Sequence, residues 1–203
     1  MRPLIVAWPE GLAAWAVYLW AMVPEVRLVR RARAAVVAVR SQAAAPKGDP
    51  TLRAILVAGL AGMVGATAAA FLLPAWAIWP ERARLVYWVG LAVVVAGGLL
   101  RRHCWRMLGA SFTGHIAVRP DQAVVERGAY RWVRHPSYAA GLLLQVGVGL
   151  ALGNWAGVAL LVVPAAAAYA YRITLEERAL MDTLGERYRA YCRRTRRLVP
   201  FVW

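Results

Sequence analysis

Five long apolar runs alternate with basic segments, and this alternation restricts the chain to a helical membrane fold. The runs are found at about Ile5–Val23, Ala54–Leu73, Leu85–Leu100, Tyr138–Leu152 and Trp155–Tyr171. The first two have the roughly 20 residues that a helix needs to cross a bilayer core, and the last three are shorter. Hydrophobic residues make up 61% of the chain, more than an ordinary soluble domain carries. We therefore predict an all-α integral membrane protein with about five transmembrane helices.

The distribution of Lys and Arg predicts how these helices are oriented. Segments 24–53, 101–137 and 172–203 carry 7, 7 and 8 of these residues, whereas the N-terminus carries 1, segment 74–84 carries 2 and the Gly153-Asn154 turn carries none. With five spans, 22 basic residues lie on one side of the membrane and 3 on the other. Because cytoplasmic loops are enriched in Lys and Arg, we expect the N-terminus outside and the C-terminus in the cytoplasm of a cell-membrane protein.

The net charge of +15 does not by itself indicate nucleic-acid binding. Its Arg residues are spread over three loops that membrane topology alone would make basic, where they attract anionic lipids. Cys104 and Cys192 are too far apart in sequence to suggest a metal site, and on the cytoplasmic side we expect both thiols to be reduced. Membrane lipids are therefore predicted partners, while nucleic acid and metal are not.

Two polar blocks flank the last pair of apolar runs. Residues 128–141 read GAYRWVRHPSYAAG, and residues 172–191 read RITLEERALMDTLGERYRAY. Because only Gly153-Asn154 joins the two runs between them, we expect a tight antiparallel hairpin that brings both blocks to the same membrane face. Before them, Ser111–Val125 alternates in a β-like manner, which predicts a small extended or hairpin segment ahead of the fourth span.

The ordered motifs in these blocks resemble the isoprenylcysteine carboxyl methyltransferase family, which is related to phospholipid N-methyltransferases. The motifs are RHPSY at 134–138, EExxL at 176–180, GxxYxxY at 185–191 and the closing Pro200-Phe201. The resemblance covers about Leu108–Phe201. It divides the chain into N-terminal membrane helices with a basic cytoplasmic loop (1–107) and a methyltransferase core (108–203). It implies S-adenosylmethionine as methyl donor, and a lipophilic acceptor that enters from the bilayer between helices.

The charged residues of the motifs match the polar groups of S-adenosylmethionine. Glu176 or Glu177 can pair with its ammonium group or its ribose. Arg134 and His135 can hold its carboxylate, the Arg through a bidentate fork. A helix start rich in Glu would also explain the two carboxylates, because Glu near a helix N-terminus is favourable, but their register with the other motifs favours a binding site.

Aromatic residues, glycines and a proline complete the predicted cofactor site. Tyr130, Tyr138 and Tyr188 can stack on the adenine or lie near the sulfonium, because aromatic faces attract cations. Gly128 permits a tight turn, and Gly141 lets a helix or a ligand approach closely. A proline in the first turn of a helix loses no hydrogen bond, which suits Pro136 at the start of the fourth span.

Arg172 and Glu176 are the predicted catalytic residues. Arg172 ends the fifth span one helical turn before Glu176, where it can orient an acceptor carboxylate. A carboxylate needs no general base at neutral pH, so alignment in a dry site would dominate catalysis. An amine or thiol acceptor would instead need His135 or a Glu to remove its proton.

The sequence therefore predicts carboxyl O-methylation of an isoprenylcysteine-like or other lipophilic acceptor at the cytoplasmic face. N- or S-methylation of a lipid amine or a small thiol is the alternative within the same enzyme class. A non-catalytic membrane scaffold or a transporter is the alternative from another class. The basic cluster Arg193–Arg197 is interpreted as electrostatic anchoring.

Overall fold

The computed structural model is mainly helical in the residues that it describes. These residues are 4–23, 26, 50–73, 81–109, 116, 118 and 120–198. Six α-helices follow one another: α1 (Glu10–Val23), α2 (Pro50–Leu72), α3 (Ala83–Leu108), α4 (Pro136–Ala151), α5 (Trp155–Leu184) and α6 (Glu186–Arg194). Short 3-10 turns lie at Leu4–Val6 and Gly128–Arg131.

Among the described residues, three helices are long and apolar enough to cross a membrane, namely α2, α3 and α5. The shorter helices α1 and α4 are apolar as well. The chain is thus an integral membrane protein with an all-α architecture, as the apolar runs predicted. Each predicted span overlaps one of these five helices, whereas the crossing of the bilayer by α1 and α4 stays a prediction.

The helices differ from the predicted spans mainly at their polar ends. The first helix begins at Glu10, after a 3-10 turn, and not at Ile5. Helices α3 and α5 continue past their apolar parts, because Arg, Glu and Leu are good helix formers. They end at Gly109 and Gly185, whose φ angles of 52° and 56° favour glycine. The predicted C-terminal helix is therefore an extension of α5, followed by α6 after Gly185.

Helices α3 and α4 pack closely because glycine removes side chains from their interface. A Cβ atom added to Gly90 would lie 2.6 Å from the backbone N of Ala151 and 2.7 Å from the carbonyl O of Gly147. Two turns further along α3, a Cβ on Gly97 would lie 3.1 Å from the carbonyl O of Ala140. Small residues at membrane helix interfaces permit this backbone approach. Helix α1 packs against both helices, with Ala14 buried against Tyr87 and Leu91 of α3 and Ala151 of α4.

Helix α5 has α4 on one side and α2 on another. Asn154 ends the α4–α5 turn and begins α5, because its side-chain oxygen accepts a hydrogen bond from the backbone N of Gly157 at 2.5 Å and so caps the helix. Helix α2 runs along α5 through Gly62, where an added Cβ would lie 2.8 Å from the carbonyl O of Leu160. The hairpin thus brings the start of α4 and the end of α5 to the same end of the bundle.

The segment before α4 forms no strand among its described residues. Residues 120–127 are a turn and irregular backbone, while 111–115, 117 and 119 lie outside the described residues. Most of the basic loop between α1 and α2 and the closing Pro200-Phe201 also lie outside them. The nearest β-like feature is one parallel bridge between Val133 and Arg196.

Candidate functional site

The polar motifs meet at one end of the helical bundle. The start of α4, the polar end of α5, α6 with the segment that follows it, and the first turn of α2 all contribute side chains there. The hydrogen bonds between them form two groups. One is centred on Glu177 and the other on Tyr138.

The Glu177 cluster consists of Glu177, Arg134, His135 and Arg197. Glu177 is 3% exposed, and its Oε1 accepts hydrogen bonds from Arg134 Nε at 2.7 Å and pairs with His135 Nε2 at 3.3 Å. Its Oε2 accepts a hydrogen bond from Arg197 Nε at 3.0 Å. Arg134 also donates from Nη1 to the carbonyl oxygens of Cys192 and Thr195, at 3.1 and 2.6 Å. A buried carboxylate is stable in this position because cations and hydrogen bonds surround it.

Backbone hydrogen bonds fix the segment after α6 beside the start of α4. The backbone N atoms of Arg134 and His135 donate to the carbonyl oxygens of Arg196 and Arg197, at 2.7 and 2.9 Å. In return, the backbone N of Arg196 donates to the carbonyl of Trp132 at 3.1 Å. This short parallel pairing brings Arg197 next to Glu177, although the two residues are 20 positions apart in the sequence.

The Tyr138 relay consists of Thr51, Arg172, Tyr138 and Glu176. The Tyr138 hydroxyl donates to Glu176 Oε2 at 2.7 Å and accepts a hydrogen bond from Arg172 Nε at 2.8 Å. Arg172 Nη1 donates to Thr51 Oγ1 at 2.8 Å. The relay thus connects α2, α5 and α4 and brings the two predicted catalytic residues, Arg172 and Glu176, onto one tyrosine hydroxyl.

Three aromatic rings pack in a row that begins at His135 of the Glu177 cluster. The His135 and Tyr138 rings are stacked with centroids 5.6 Å apart, and Tyr169 lies 5.0 Å from Tyr138. The close approach predicted at Gly141 is made by Tyr169, because a Cβ atom on Gly141 would lie 2.5 Å from its hydroxyl. Gly141 thus makes room for a tyrosine side chain of α5.

The remaining tyrosines hold α6 in place. Tyr188 and Tyr191 are buried with ring centroids 5.9 Å apart, and Leu184 packs with them. Burial raises the pKa of the Tyr191 hydroxyl, which therefore stays protonated and donates to the carbonyl of Tyr130 at 2.6 Å. Burial likewise raises the pKa of Tyr188 and of Tyr130. Tyr188 therefore packs within α6, whereas Tyr130 lies close enough to Glu176 and Tyr138 for their charges to add to the rise in its pKa.

Two predicted residues shape the backbone that leads into α4. Gly128 has a φ of 61°, and a Cβ atom there would lie 2.9 Å from His103 Nε2. Pro136 is the first residue of α4, where its missing N–H has no consequence, as the sequence predicted. The turn and the proline together direct His135 and Tyr138 toward α5.

The sequence reasoning did not single out Thr51, Tyr169 or Arg197. The basic tail predicts electrostatic anchoring for Arg197 and its neighbours, yet Arg197 pairs with a buried carboxylate. Arg193 and Arg194 instead form exposed ion pairs with Glu186 and Glu126, which agrees with a surface role. Thr51 and Tyr169 carry no motif, and only the packing of their helices brings them to the site.

The chemistry of the described groups suits S-adenosylmethionine. Glu177 uses both oxygens within the protein, whereas Glu176 accepts from Tyr138 through Oε2 alone, among the described residues. Glu176 Oε1 can therefore receive an ammonium or ribose donor. The stacked rings of His135 and Tyr138 offer an aromatic surface beside it. In the described part of the chain, no three His, Cys, Asp or Glu residues are grouped as metal ligands would be.

Comparison with known proteins supports the resemblance seen in the motifs. The model of the isoprenylcysteine carboxyl methyltransferase family matches residues 88–182. The match begins within α3, ahead of the predicted start at Leu108, and ends within α5. It includes the residues of the Glu177 cluster and the Tyr138 relay apart from Arg197 and Thr51.

Curated relatives carry the corresponding name. Protein-S-isoprenylcysteine O-methyltransferase B of Arabidopsis thaliana is 33% identical over 121 residues, which are 57% of this chain and 61% of that protein. Protein-S-isoprenylcysteine O-methyltransferase of Schizosaccharomyces pombe is 29% identical over 114 residues, 55% of this chain and 48% of that protein. The matched region therefore spans between about half and three fifths of these relatives.

The fold is also similar to a solved structure. The eukaryotic intramembrane Ras methyltransferase, an isoprenylcysteine carboxyl methyltransferase, superimposes with a TM-score of 0.59 and 23% sequence identity. The superposition covers 77% of this chain and 55% of that one. It establishes a common membrane fold for the two chains.

Proposed function

Because residues 88–182 match the model of the isoprenylcysteine carboxyl methyltransferase family, we propose that the chain is a member of this family and an S-adenosylmethionine-dependent membrane methyltransferase. The reaction is O-methylation of a carboxylate on an isoprenylcysteine-like or similarly lipophilic acceptor. The observation that carries this proposal is the Tyr138 hydroxyl, on which Arg172 and Glu176 converge at 2.8 and 2.7 Å. One hydroxyl thus lies between a cation suited to the acceptor and an anion suited to the cofactor.

The site lies at the cytoplasmic face in this proposal. All five apolar helices cross the membrane, with the N-terminus outside and the C-terminus in the cytoplasm. Support comes from the 22 basic residues that five spans assign to one side against 3 on the other. The site residues of α2, α4 and α5 lie at the helix ends that adjoin these basic segments, which agrees with the proposed orientation.

Glu176 binds the cofactor directly, and the Glu177 cluster shapes the surface around it. S-adenosylmethionine, when bound, supplies a methyl group on a sulfonium cation. Glu176 Oε1 accepts a hydrogen bond from the ammonium group or the ribose, while His135 and Tyr138 provide an aromatic face for the cation or the adenine. Glu177 acts through its partners, since it holds Arg134 and His135 in fixed positions.

Arg172 orients the acceptor carboxylate. Its Nε and Nη1 donate to the hydroxyls of Tyr138 and Thr51 at 2.8 Å each, which holds the cationic guanidinium beside Tyr138, where a carboxylate can pair with it. Its side chain is fixed before the acceptor arrives, which lowers the entropy cost of alignment. The buried surroundings of Arg172, 5% exposed, keep water away from a step in which opposite charges neutralise each other. No general base is required, because the acceptor carboxylate is already ionised.

The acceptor reaches this face from the bilayer. Arabidopsis and fission yeast relatives are named for an S-isoprenylated cysteine, and a prenyl chain partitions into lipid. The chain aligns with only part of those relatives, so the acceptor is proposed here at the level of a lipophilic carboxylate.

The proposal is tested by titrating S-adenosylhomocysteine into detergent-purified protein and then measuring methyl transfer. Wild type is compared with Glu176→Gln, which keeps the shape of the side chain, and with Asp182→Asn. Asp182 is an exposed acid on the same helix and so controls for loss of one negative charge. We expect Glu176→Gln to weaken binding about tenfold or more, because a hydrogen bond to a charged group contributes about 1.5–3 kcal/mol and about 1.4 kcal/mol is a tenfold change. Asp182→Asn should leave binding unchanged.

Transfer is measured from methyl-labelled S-adenosylmethionine to N-acetyl-S-farnesyl-cysteine. A base-labile methyl ester supports carboxyl O-methylation, because N-methyl and S-methyl products survive base. Absence of cofactor binding and of transfer by well-folded wild type would contradict the proposal and favour a scaffold.

A further inference from the structure

We propose that Gln145 of α4 selects an acceptor whose apolar chain carries a hydroxyl or carbonyl group about 10 Å from its carboxylate. This inference rests on the proposed function and narrows its acceptor class, since a plain prenyl chain offers no such group. It comes from the position of one amide within an otherwise apolar helix. Residues 139–151 of α4 contain no other polar side chain.

Gln145 lies on the same row of α4 as Tyr138. Steps of four and three residues lead from Tyr138 to Leu142 and then to Gln145, and such steps keep side chains on one face of a helix. All three residues are partly exposed. The rise over this part of the helix gives about 10 Å between the Tyr138 relay and Gln145. The row therefore forms an accessible path from the candidate site into the apolar part of the bundle.

Two contacts between α4 and α5 lie on either side of Gln145. A Cβ atom on Gly141 would lie 2.5 Å from the Tyr169 hydroxyl. A Cβ atom on Gly149 would lie 2.6 Å from the Cα of Val158. Both glycines are one helical turn from Gln145, so the amide belongs to the face of α4 that is turned toward α5.

The part of α5 between these contacts carries small side chains. Pro164 is followed by the four alanines of residues 165–168. Alanine side chains leave room beside α4 in which an alkyl chain can lie. By contrast, Leu143 is 40% exposed on another side of α4, because two helical residues in sequence are about 200° apart. Gln145 is thus recessed beside α5, which favours a chain from the bilayer as its partner over the helix of a second copy.

The amide of Gln145 has no hydrogen-bond partner among the described residues. In that part of the chain, every fully buried side-chain nitrogen or oxygen does have one, so the Gln145 amide keeps accessible surface. In the proposed topology this surface adjoins the hydrocarbon of the bilayer, where an unsatisfied amide is costly. A ligand with a hydrogen-bonding group removes that cost. A carboxamide both donates and accepts, which suits a hydroxyl or a carbonyl group.

The distance between the relay and Gln145 also defines the acceptors for a test. An extended chain advances about 1.2 Å per bond, so about 10 Å spans roughly nine bonds from a carboxyl carbon held at the relay. This bond count leads to the tenth carbon of a fatty acid. The test therefore compares stearic acid with its derivative hydroxylated at the tenth carbon, and both acids with N-acetyl-S-farnesyl-cysteine.

The full-length protein in detergent is assayed as wild type, Gln145→Leu, Gln145→Asn and Leu143→Gln. Leucine keeps the approximate size and removes the amide, whereas asparagine keeps the amide on a shorter side chain. Leu143→Gln is the matched control, because it adds an amide on another side of the same helix. Transfer of labelled methyl from S-adenosylmethionine gives kcat/KM for each acid, and thermal midpoints report any loss of stability.

We expect wild type to favour the hydroxylated acid over stearic acid about tenfold in kcat/KM, because one hydrogen bond is gained in apolar surroundings. Gln145→Leu should reduce this ratio to unity, and Gln145→Asn should give an intermediate ratio. Leu143→Gln should keep the ratio of wild type. Because each ratio compares two acids on one protein, a general loss of stability does not change it.

The outcomes separate this inference from the proposed function. If wild type methylates the farnesyl-cysteine or the fatty acids without preferring the hydroxylated acid, the role of Gln145 is wrong while the carboxyl methyltransferase assignment stands. A preference that Gln145→Leu retains, or that Leu143→Gln also abolishes, would refute the role as well. If wild type esterifies none of the three acids, the proposed function fails and the inference fails with it.

Discussion

Replacing Glu177 with Gln should destabilise the protein strongly, although only one charge is removed. Glu177 Oε1 and Oε2 accept from Arg134 and Arg197 at 2.7 and 3.0 Å, and the Glu177 side chain is 4% exposed. Removing one partner of a buried ion pair costs about 3–5 kcal/mol, because the other charge stays buried without compensation. The Gln NH₂ group is itself a hydrogen-bond donor, so it would face an arginine N–H where Glu177 offers an accepting oxygen.

The structure favours the lower end of that range. Arg134 keeps the carbonyl oxygens of Cys192 and Thr195 as acceptors, so its guanidinium is not left without hydrogen bonds. The Arg197 side chain is 38% exposed, and water screens its share of the loss. The bond to His135 is long, at 3.3 Å, and adds little. We therefore expect a loss of about 3 kcal/mol, or a thermal midpoint lower by on the order of 10 °C.

The assay is thermal unfolding in detergent, followed by intrinsic tryptophan fluorescence, with Glu186→Gln as control. Glu186 makes the same kind of bond to Arg193, at 2.6 Å, but both side chains are about two-thirds exposed. Its replacement should leave the midpoint unchanged, since exposed ion pairs contribute little. Arg134→Gln combined with Glu177→Gln should cost less than the sum of the single changes. Equal midpoints for Glu177→Gln and Glu186→Gln would refute the reasoning.

Two further changes test the packing of the bundle. Gly90→Ala should destabilise by about 1–3 kcal/mol in the same assay, because its Cβ atom would meet the Ala151 backbone at 2.6 Å, whereas Gly59→Ala, with no atom within 4 Å, should be neutral or stabilising. Tyr191→Phe should cost about 1–2 kcal/mol by removing the donor to the Tyr130 carbonyl, and a midpoint equal to that of wild type would show that water replaces the bond.

The apolar runs predicted the helices well because length and hydropathy are local properties. Their ends were less predictable, since Arg172 and Glu176 mark the end of an apolar run but not the end of a helix. The backbone continues until Gly185, where a positive φ is required. Helix contacts could not be predicted from the sequence, because a glycine can border open space, as Gly59 does, or a neighbouring helix, as Gly90 does.

Site residues that belong to a sequence motif could be predicted. Those that reach the site only through the packing of helices or segments could not. Arg134, His135 and Glu177 stand in recognisable patterns, and the structure brings them together. Thr51 reaches Arg172 only through the register of α2 on α5. Arg197 looks like any other arginine of a basic tail until the backbone pairing beside α4 brings it to Glu177.

The adjacent carboxylates of α5 have different surroundings because consecutive helical residues point about 100° apart. Tyr169, Ile173 and Glu177 follow one another at four-residue spacing, and all three are buried. Arg172 and Glu176 form the neighbouring row, which faces Tyr138. The buried face of α5 therefore continues from Tyr169 to Glu177 at the polar end of the helix. The neighbouring carboxylate, Glu176, is only partly buried. Exchanging the roles of Glu176 and Glu177 would require α5 to rotate by that angle, which the packing of Tyr169 against Gly141 prevents.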